Sequence, residues 1–472
     1  MLQSFRHKRN KKDGSPEKYL GKMRIEVIAI TWPAFIELVL STLFGMVDMI
    51  MVGQLSPAAI TAVGLTHQPF MLLLAVFAAV NVGTTTLVAW NIGANNKEKA
   101  SLVTRQVLVV NAVLGILMSL VGIIFARYVV IFMGAEAAAF DDAVIYFRII
   151  CAGLLFQAVN MGITASLRGA GQTRLPMYYN IGANLLNVFG NYVLIFGKMG
   201  FPMLGVPGAA ISTTVSRFIA CAVGFCIVRF SKTLPVSIHG KGKYMPDMEI
   251  IKRVFSVGLP AALEQCVLQS GLTLFARTVS GLGTTGFAAH QIGLNISGLS
   301  FSPSMAFAVA STTLVGQSLG ANDVEKARKY ADIAHRMAVG VACFVGSVFI
   351  LFSHPIARLY TQDPVVAAMA GTVLKILALS LPGQSTQLSV SGALRGAGDA
   401  MYPLYASIAG IWGFRVIVAY IFVNIFNWGL IGAWTALVID QYVRASVVYL
   451  RFRTGKWKHT KARATEIMDK PC

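Results

Sequence analysis

The chain reads as an all-α integral membrane protein, with twelve transmembrane helices in two pseudo-symmetric six-helix lobes that are parallel repeats of one unit. Three observations predict this. Hydrophobic residues make up 56% of the 472 residues and charged ones only 13%, about half the charged share of an ordinary soluble domain. Apolar runs recur along the whole chain, each near the roughly 20 residues that cross a hydrocarbon core. A single offset of 227 residues relates motifs of the first half to motifs of the second.

Breaks of Gly, Pro and charge set the helices at about 27–53, 65–92, 102–125, 144–167, 176–196, 207–228, 250–280, 287–317, 331–352, 366–394, 402–425 and 432–449. An even number of spans places both termini on one side. Segments on that side carry nearly all the flanking basic residues, while only Arg127, Lys198 and Arg358 fall on the other. The positive-inside rule then puts both termini in the cytoplasm of a cell membrane. These flanks also account for the formal charge of +20, which argues against a nucleic-acid partner. The start of the chain is polar and basic with no cleavage site behind a short apolar core, so the first hydrophobic helix is expected to act as an uncleaved insertion signal. Six cysteines are scattered without a CxxC pair, which favours neither a disulfide framework nor a zinc site.

The repeat organises the rest. Thr84 to Ala100 (TTTLVAWNIGANNKEKA) matches Ser311 to Ala327 (STTLVGQSLGANDVEKA) at 10 of 17 positions, and LRGAGQTRLPMY from Leu167 matches LRGAGDAMYPLY from Leu394 at 7 of 12, both at the 227 offset. The same offset pairs Pro33 with Pro260 and Glu37 with Glu264. Two six-helix halves follow: a basic cytoplasmic N-terminus (1–24), an N-lobe (25–229), a cytoplasmic linker (230–249), a C-lobe (250–452) and a cytoplasmic tail (453–472). Repeats of this kind place a cavity between the lobes near the membrane midplane. Both repeated motifs read first as scaffold. GAN..EKA marks a helix stop followed by a helix start, and LRGAG a tight glycine turn with Arg168 and Arg395 as interfacial anchors.

No phosphate loop, HExxH, paired-cysteine or Gly-x-Ser-x-Gly motif occurs, so neither enzyme chemistry, ATP-driven pumping nor a cofactor is expected. Energy must come from an ion gradient, of H+ or Na+. A carboxylate within a span is costly and points to function, and the first helix carries two, Glu37 and Asp48, on one face about 16 Å apart. In helix 5, Asn180, Asn184, Asn187 and Asn191 form one stripe. The stripe serves either as packing glue or as an ion or proton relay with Asp48. At the repeat offset Asp48, Asn187 and Asn191 become Phe275, Phe414 and Val418, so the cluster belongs to the first half alone. The second half has Glu264, Arg277, Lys375, Arg415 and Asp440 within its spans. Pairing is expected there, Arg415 with Glu264 or Asp440, as a buried ion pair or as a further site. Phe70, Met71, Phe301 and Met305 are candidates for an adaptable substrate cavity, with simple packing as the other reading.

With VDMIMVGQLSPAAITAVGL, the doubled GAN..EKA, the doubled LRGAG and LNVFGNYVLIFG, the chain resembles the multidrug and toxic compound extrusion (MATE) transporters, in their bacterial NorM-like branch, over nearly its whole length. The resemblance implies lobes opening as a V around a central cavity, and export of drugs, organic cations or other amphipathic small molecules in exchange for H+ or Na+. It implies that Asp48, Asn187 and Thr213 (within GAAIST) form the cation site, with Na+ at Asp48 and Asn187 if sodium is the coupling ion and no other metal. The chain departs from some members at Asn191, where they carry an aspartate, and at Leu268, where they carry a carboxylate one turn beyond Glu264. A flippase for lipid-linked precursors shares the two-lobe plan. It would need several cavity cations for a pyrophosphate, and in the central spans of the first half only Arg148 and Arg217, placed near helix ends, are seen. A monomer in contact with membrane lipids is expected.

Overall fold

The computed structural model describes residues 16–231, 234–238 and 246–460. The first fifteen residues, linker residues 232, 233 and 239–245, and the tail from 461 onward lie outside the described residues.

All regular elements among the described residues are helical, and the predicted spans appear in order. They are α1 (Pro16–Gly53), α2 (Pro57–Gly93), α3 (Lys97–Phe132), α4 (Ala137–Ala152 and Leu154–Gly169), α5 (Arg174–Phe196) and α6 (Gly205–Phe230) in the first lobe. The second lobe holds α7 (Met248–Ser280), α8 (Gly283–Gly320), α9 (Val324–Leu351), α10 (Pro364–Gly396), α11 (Met401–Ile425) and α12 (Gly429–Arg453). Several helices are longer than their apolar runs, because a helix does not end where its hydrophobicity does. In α1 this extension starts at Pro16, where the sequence places the span from residue 27. α4 is one span bent by 44° at Gly153. There Thr214 of α6 donates to the carbonyl of Ile149 at 3.1 Å, and a Cβ on Gly153 would meet Thr214 at 3.1 Å. A glycine with an inserted side chain is an ordinary cause of a kink.

Eight helices, and the bent α4 as a ninth, are long and apolar enough to cross a membrane by length and composition. α5, α7 and α12 fall below that threshold for a physical reason. They carry the Asn stripe, Glu264 and the Asp440–Arg444 pair, which are turned into the protein rather than toward lipid.

The lobes are interlocked. Met23, Val27 and Ile30 at the start of α1 pack against Phe307, Ala310 and Leu314 of α8 and Tyr330, Ala334 and Ala338 of α9, in the opposite lobe. Glu26 reinforces this by accepting a hydrogen bond from the Tyr330 hydroxyl. The repeat-related start of α7, with Val254 buried and Ile250 partly so, packs in the same way into the α2 and α3 core of the first lobe. Glycines let these crossings close. A Cβ on Gly83 would stand 2.1 Å from the Val254 carbonyl oxygen, and one on Gly258 would stand 1.8 Å from that of Ala79.

The two repeated motifs build one closed end. Asn95 and Asn322, 227 apart, both adopt the left-handed conformation, with φ of 58° and 59°, which asparagine tolerates best among residues bearing a Cβ. Asn96 and Asp323 then cap the following helices through the Lys99 and Lys326 amides at 3.0 and 2.9 Å. Across the lobes, Thr86 and Trp90 of α2 donate to the carbonyls of Arg395 and Gly396 at 3.0 and 2.8 Å. Their repeat partners Thr313 and Gln317 of α8 donate to those of Arg168 and Gly169 at 2.9 and 3.0 Å. Gly93 faces the Gln317 carbonyl and Gly320 that of Trp90, each too close for a Cβ. The GAN motif is scaffold as read, and LRGAG also supplies its carbonyls to the partner lobe.

Candidate cation and substrate site

α1 and α5 run parallel in a fixed register of 143 residues. Asn180 donates to Glu37 Oε1 at 2.7 Å, Asn184 sits 3.4 Å from Ser41 Oγ, and Asn191 donates to Asp48 Oδ1 at 2.7 Å. The stripe of period 3.6 on α5 therefore meets a stripe of the same period on α1. With its amide assigned from the surrounding network, Asn187 donates to both Asp48 oxygens at 3.0 and 2.9 Å, and its oxygen accepts from Thr213 Oγ1 and N at 3.2 and 3.1 Å. Ser212, one residue earlier on α6, donates to the Asn187 carbonyl at 2.8 Å. Asp48, Asn187, Asn191 and Thr213, expected together, are together.

Asp48, Asn187 and Thr213 line a cavity of about 640 Å³, within the size range of drug-sized ligand sites, and Asn191 stands behind Asp48 outside the lining. Its walls come mainly from α1, α2, α4, α5 and α6, and Ala261, Gln265, Met305, Thr312 and Arg395 complete it from the second lobe. Among the described residues no group of three or more His, Cys, Asp or Glu is placed to hold a metal ion.

Glu37, three turns before Asp48 on α1, is buried and paired with Arg168 of α4 at 2.9 Å. Asn160 donates to Asn180 Oδ1 at 3.1 Å and extends this network. The second lobe repeats it: Arg395 binds Glu264 at 2.5 Å, and Ser407 donates to the other Glu264 oxygen at 3.2 Å. Arg168 and Arg395 are thus not interfacial anchors, as the sequence reading had them. They neutralise the repeated glutamates and line the cavity. The signal was available, because opposite charges recur at the same offset in both halves.

Of the two partners considered for Arg415, the structure selects Asp440, at 2.7 Å, and Arg444 approaches the same carboxylate at 3.0 Å. None of the three is among the residues that line the cavity. Arg277 and Lys375, expected to be buried and paired, are exposed. Among the four cavity candidates only Met305 lines the cavity. Phe70 is buried under the Arg217 guanidinium, Phe301 is exposed at 40%, and Met71 is half-buried outside the lining. Arg217 itself is not near a helix end but midway along α6, in the cavity wall.

A helical fold of two interlocked lobes, with carboxylates and amides held inside a membrane-spanning bundle, defines a multi-pass membrane transporter. The comparisons agree. The MatE family profile matches residues 33–193 and 260–421, once per lobe, and the chain belongs to this family. It is 31% identical to the probable multidrug resistance protein NorM of Thermotoga maritima, over 96% of this chain and 98% of that one. Multidrug resistance protein PmpM of Pseudomonas aeruginosa is 28% identical over 90% of both chains. Among solved structures, an outward-facing multidrug resistance MATE family transporter of the MOP superfamily superposes with a TM-score of 0.87 at 27% identity, covering 95% of this chain and 100% of that one.

Proposed function

We propose that the chain is a secondary multidrug antiporter of the cell membrane. It exports amphipathic organic compounds in exchange for H+ or Na+ by alternating access, as a monomer with both termini in the cytoplasm. The observation that carries this reading is Asp48. It is a carboxylate within a span that faces a drug-sized cavity and is satisfied by the amides of Asn187 and Asn191 instead of a fixed cation. A carboxylate already paired with Arg, as Glu37 is, has little to gain from an external cation. Asp48 has that capacity. Protonation makes it a donor, and Na+ turns the neighbouring amide and hydroxyl oxygens toward the ion. Either change re-sorts the α1–α5–α6 contacts that hold the first lobe's wall, which is the differential interaction a coupled transporter requires.

The flippase reading is less well supported. Three arginines line the cavity, but Arg168 and Arg395 are engaged with Glu37 and Glu264, which leaves one guanidinium where a pyrophosphate needs several.

In proteoliposomes with proton and sodium gradients imposed one at a time, efflux of a cationic dye is expected under one of them. Asp48→Asn is expected to abolish that gradient-driven efflux at normal expression. Full efflux by the variant would sink the assignment of Asp48 as the coupling group.

A further inference from the structure

Arg217 takes no part in the hydrogen bonds of the cation site, and its surroundings are unlike those of its repeat partner. The guanidinium lies 4.8 Å from the centroid of the Phe70 ring. Its Nη1 is buried without a hydrogen-bond partner, and among the described residues it makes no ion pair. A cation over an aromatic face is held but not neutralised, and a desolvated, unpaired charge is expensive.

At the offset of 227 Arg217 corresponds to Arg444, and there the guanidinium has a carboxylate partner: Asp440, one turn earlier on α12, lies 3.0 Å from Arg444 and is shared with Arg415 at 2.7 Å. The repeat partner of Asp440 is Thr213. The first lobe therefore keeps the arginine and replaces its carboxylate with a hydroxyl. The acid that remains in that wall, Asp48, is occupied by Asn187 and Asn191. Arg217 lines the cavity, and Arg444 is not among its lining residues.

We propose that Arg217 is the anion-binding half of a bipolar subsite. It takes the carboxylate of zwitterionic amphiphiles whose ammonium end is drawn toward Asp48. The planar fork of a guanidinium suits a carboxylate, Phe70 packs against it, and Asp48 and Arg217 line the same cavity, whose volume suits a drug-sized ligand. The inference deepens the antiporter reading and rests on it for the direction of transport, but not for binding.

The test uses the purified full chain in detergent and a fluorescent xanthene dye in two forms, the zwitterion with a free carboxylate and its methyl ester, with binding read by anisotropy. The wild-type protein is expected to bind the acid about tenfold more tightly than the ester, the size of one charge-assisted hydrogen bond. Arg217→Gln is expected to remove that preference by weakening the acid about tenfold and leaving the ester within about twofold. Arg217→Lys, which keeps the charge without the fork, is expected to retain part of the preference and serves if the Gln variant does not fold. Absence of a preference in the wild-type protein, or equal weakening of both dyes by Arg217→Gln, would overturn the subsite. Gradient-driven efflux of the ester by the wild-type protein in proteoliposomes is read separately. Its failure with binding selectivity intact counts against the antiporter and not against Arg217.

Discussion

Glu37 and Asp48 lie three turns apart on one helix face and have been given opposite tasks by their neighbours. Arg168 pairs with Glu37, whereas Asp48 is surrounded by groups that can change roles from donor to acceptor. The Glu37–Arg168 pair is accordingly structural, and it is tested as such. Glu37→Gln and Arg168→Gln are each expected to cost about 3–5 kcal/mol, the typical penalty for stranding one partner of a buried pair. The double variant is expected to lose much less than the sum, read by a double-mutant cycle on thermal unfolding in detergent. Additive losses would contradict the pairing. At this scale the sequence was partly legible. A carboxylate in a span is rare enough to notice, and the Asp48 partners followed from the period of the Asn stripe. For Arg168 the signal was the Glu and Arg recurring at one offset, although a hydropathy reading treats an arginine near a turn as an anchor. What the sequence withheld was the role of Arg217, which only the fold places in the cavity wall.

Among the elements, α11 is the least regular. Its α-helical turns alternate with π-helical stretches at Ile408–Val416 and Ile421–Ile425, and such stretches often accompany functional or strained positions. The first of them carries Arg415 to Asp440. Gly410 makes room for this, since a Cβ there would stand 2.3 Å from Arg444 Cγ and 2.4 Å from Asp440 Oδ1. Gly410→Ala is expected to break the Arg415–Asp440–Arg444 cluster and lower the melting temperature by several degrees, a loss of about 2 kcal/mol or more. An unchanged melting temperature would show that the helix yields freely. The sequence located α11 within a few residues but gave no sign of its widened turns, because π-helical stretches arise from tertiary contacts and leave no periodicity of their own. The same holds for the 44° bend of α4, where an ordinary Gly153 became a kink only through Thr214 on another helix.

For the whole molecule, the doubled hydrogen bonds from α2 and α8 close one end on a pseudo-twofold axis. Ala89 and Gly316, themselves 227 apart, sit on that axis, with an ideal Cβ on Gly316 only 2.8 Å from the Ala89 Cβ. In a background without native cysteines, Ala89→Cys combined with Gly316→Cys is expected to form a disulfide after a small relaxation of the Cβ separation. The cross-link is expected to stop transport, and a reductant to restore it. Continued transport by the cross-linked protein would mean that this end does not need to open. The two-lobe plan and its parallel symmetry were the most legible features of all, since one constant offset carries them. The closure was not, because its acceptors are backbone carbonyls, which no residue type announces.

The exchanged arms have a consequence for how the chain is made. The start of α1 leaves the ribosome well before its packing partners Phe307 and Tyr330, which are synthesised nearly three hundred residues later. Until then the arm has lipid or an insertion factor for company, and the first lobe is an unfinished product however well its own helices have assembled. Biogenesis is therefore a two-stage assembly in which the second lobe, on arrival, completes the first and is completed by it.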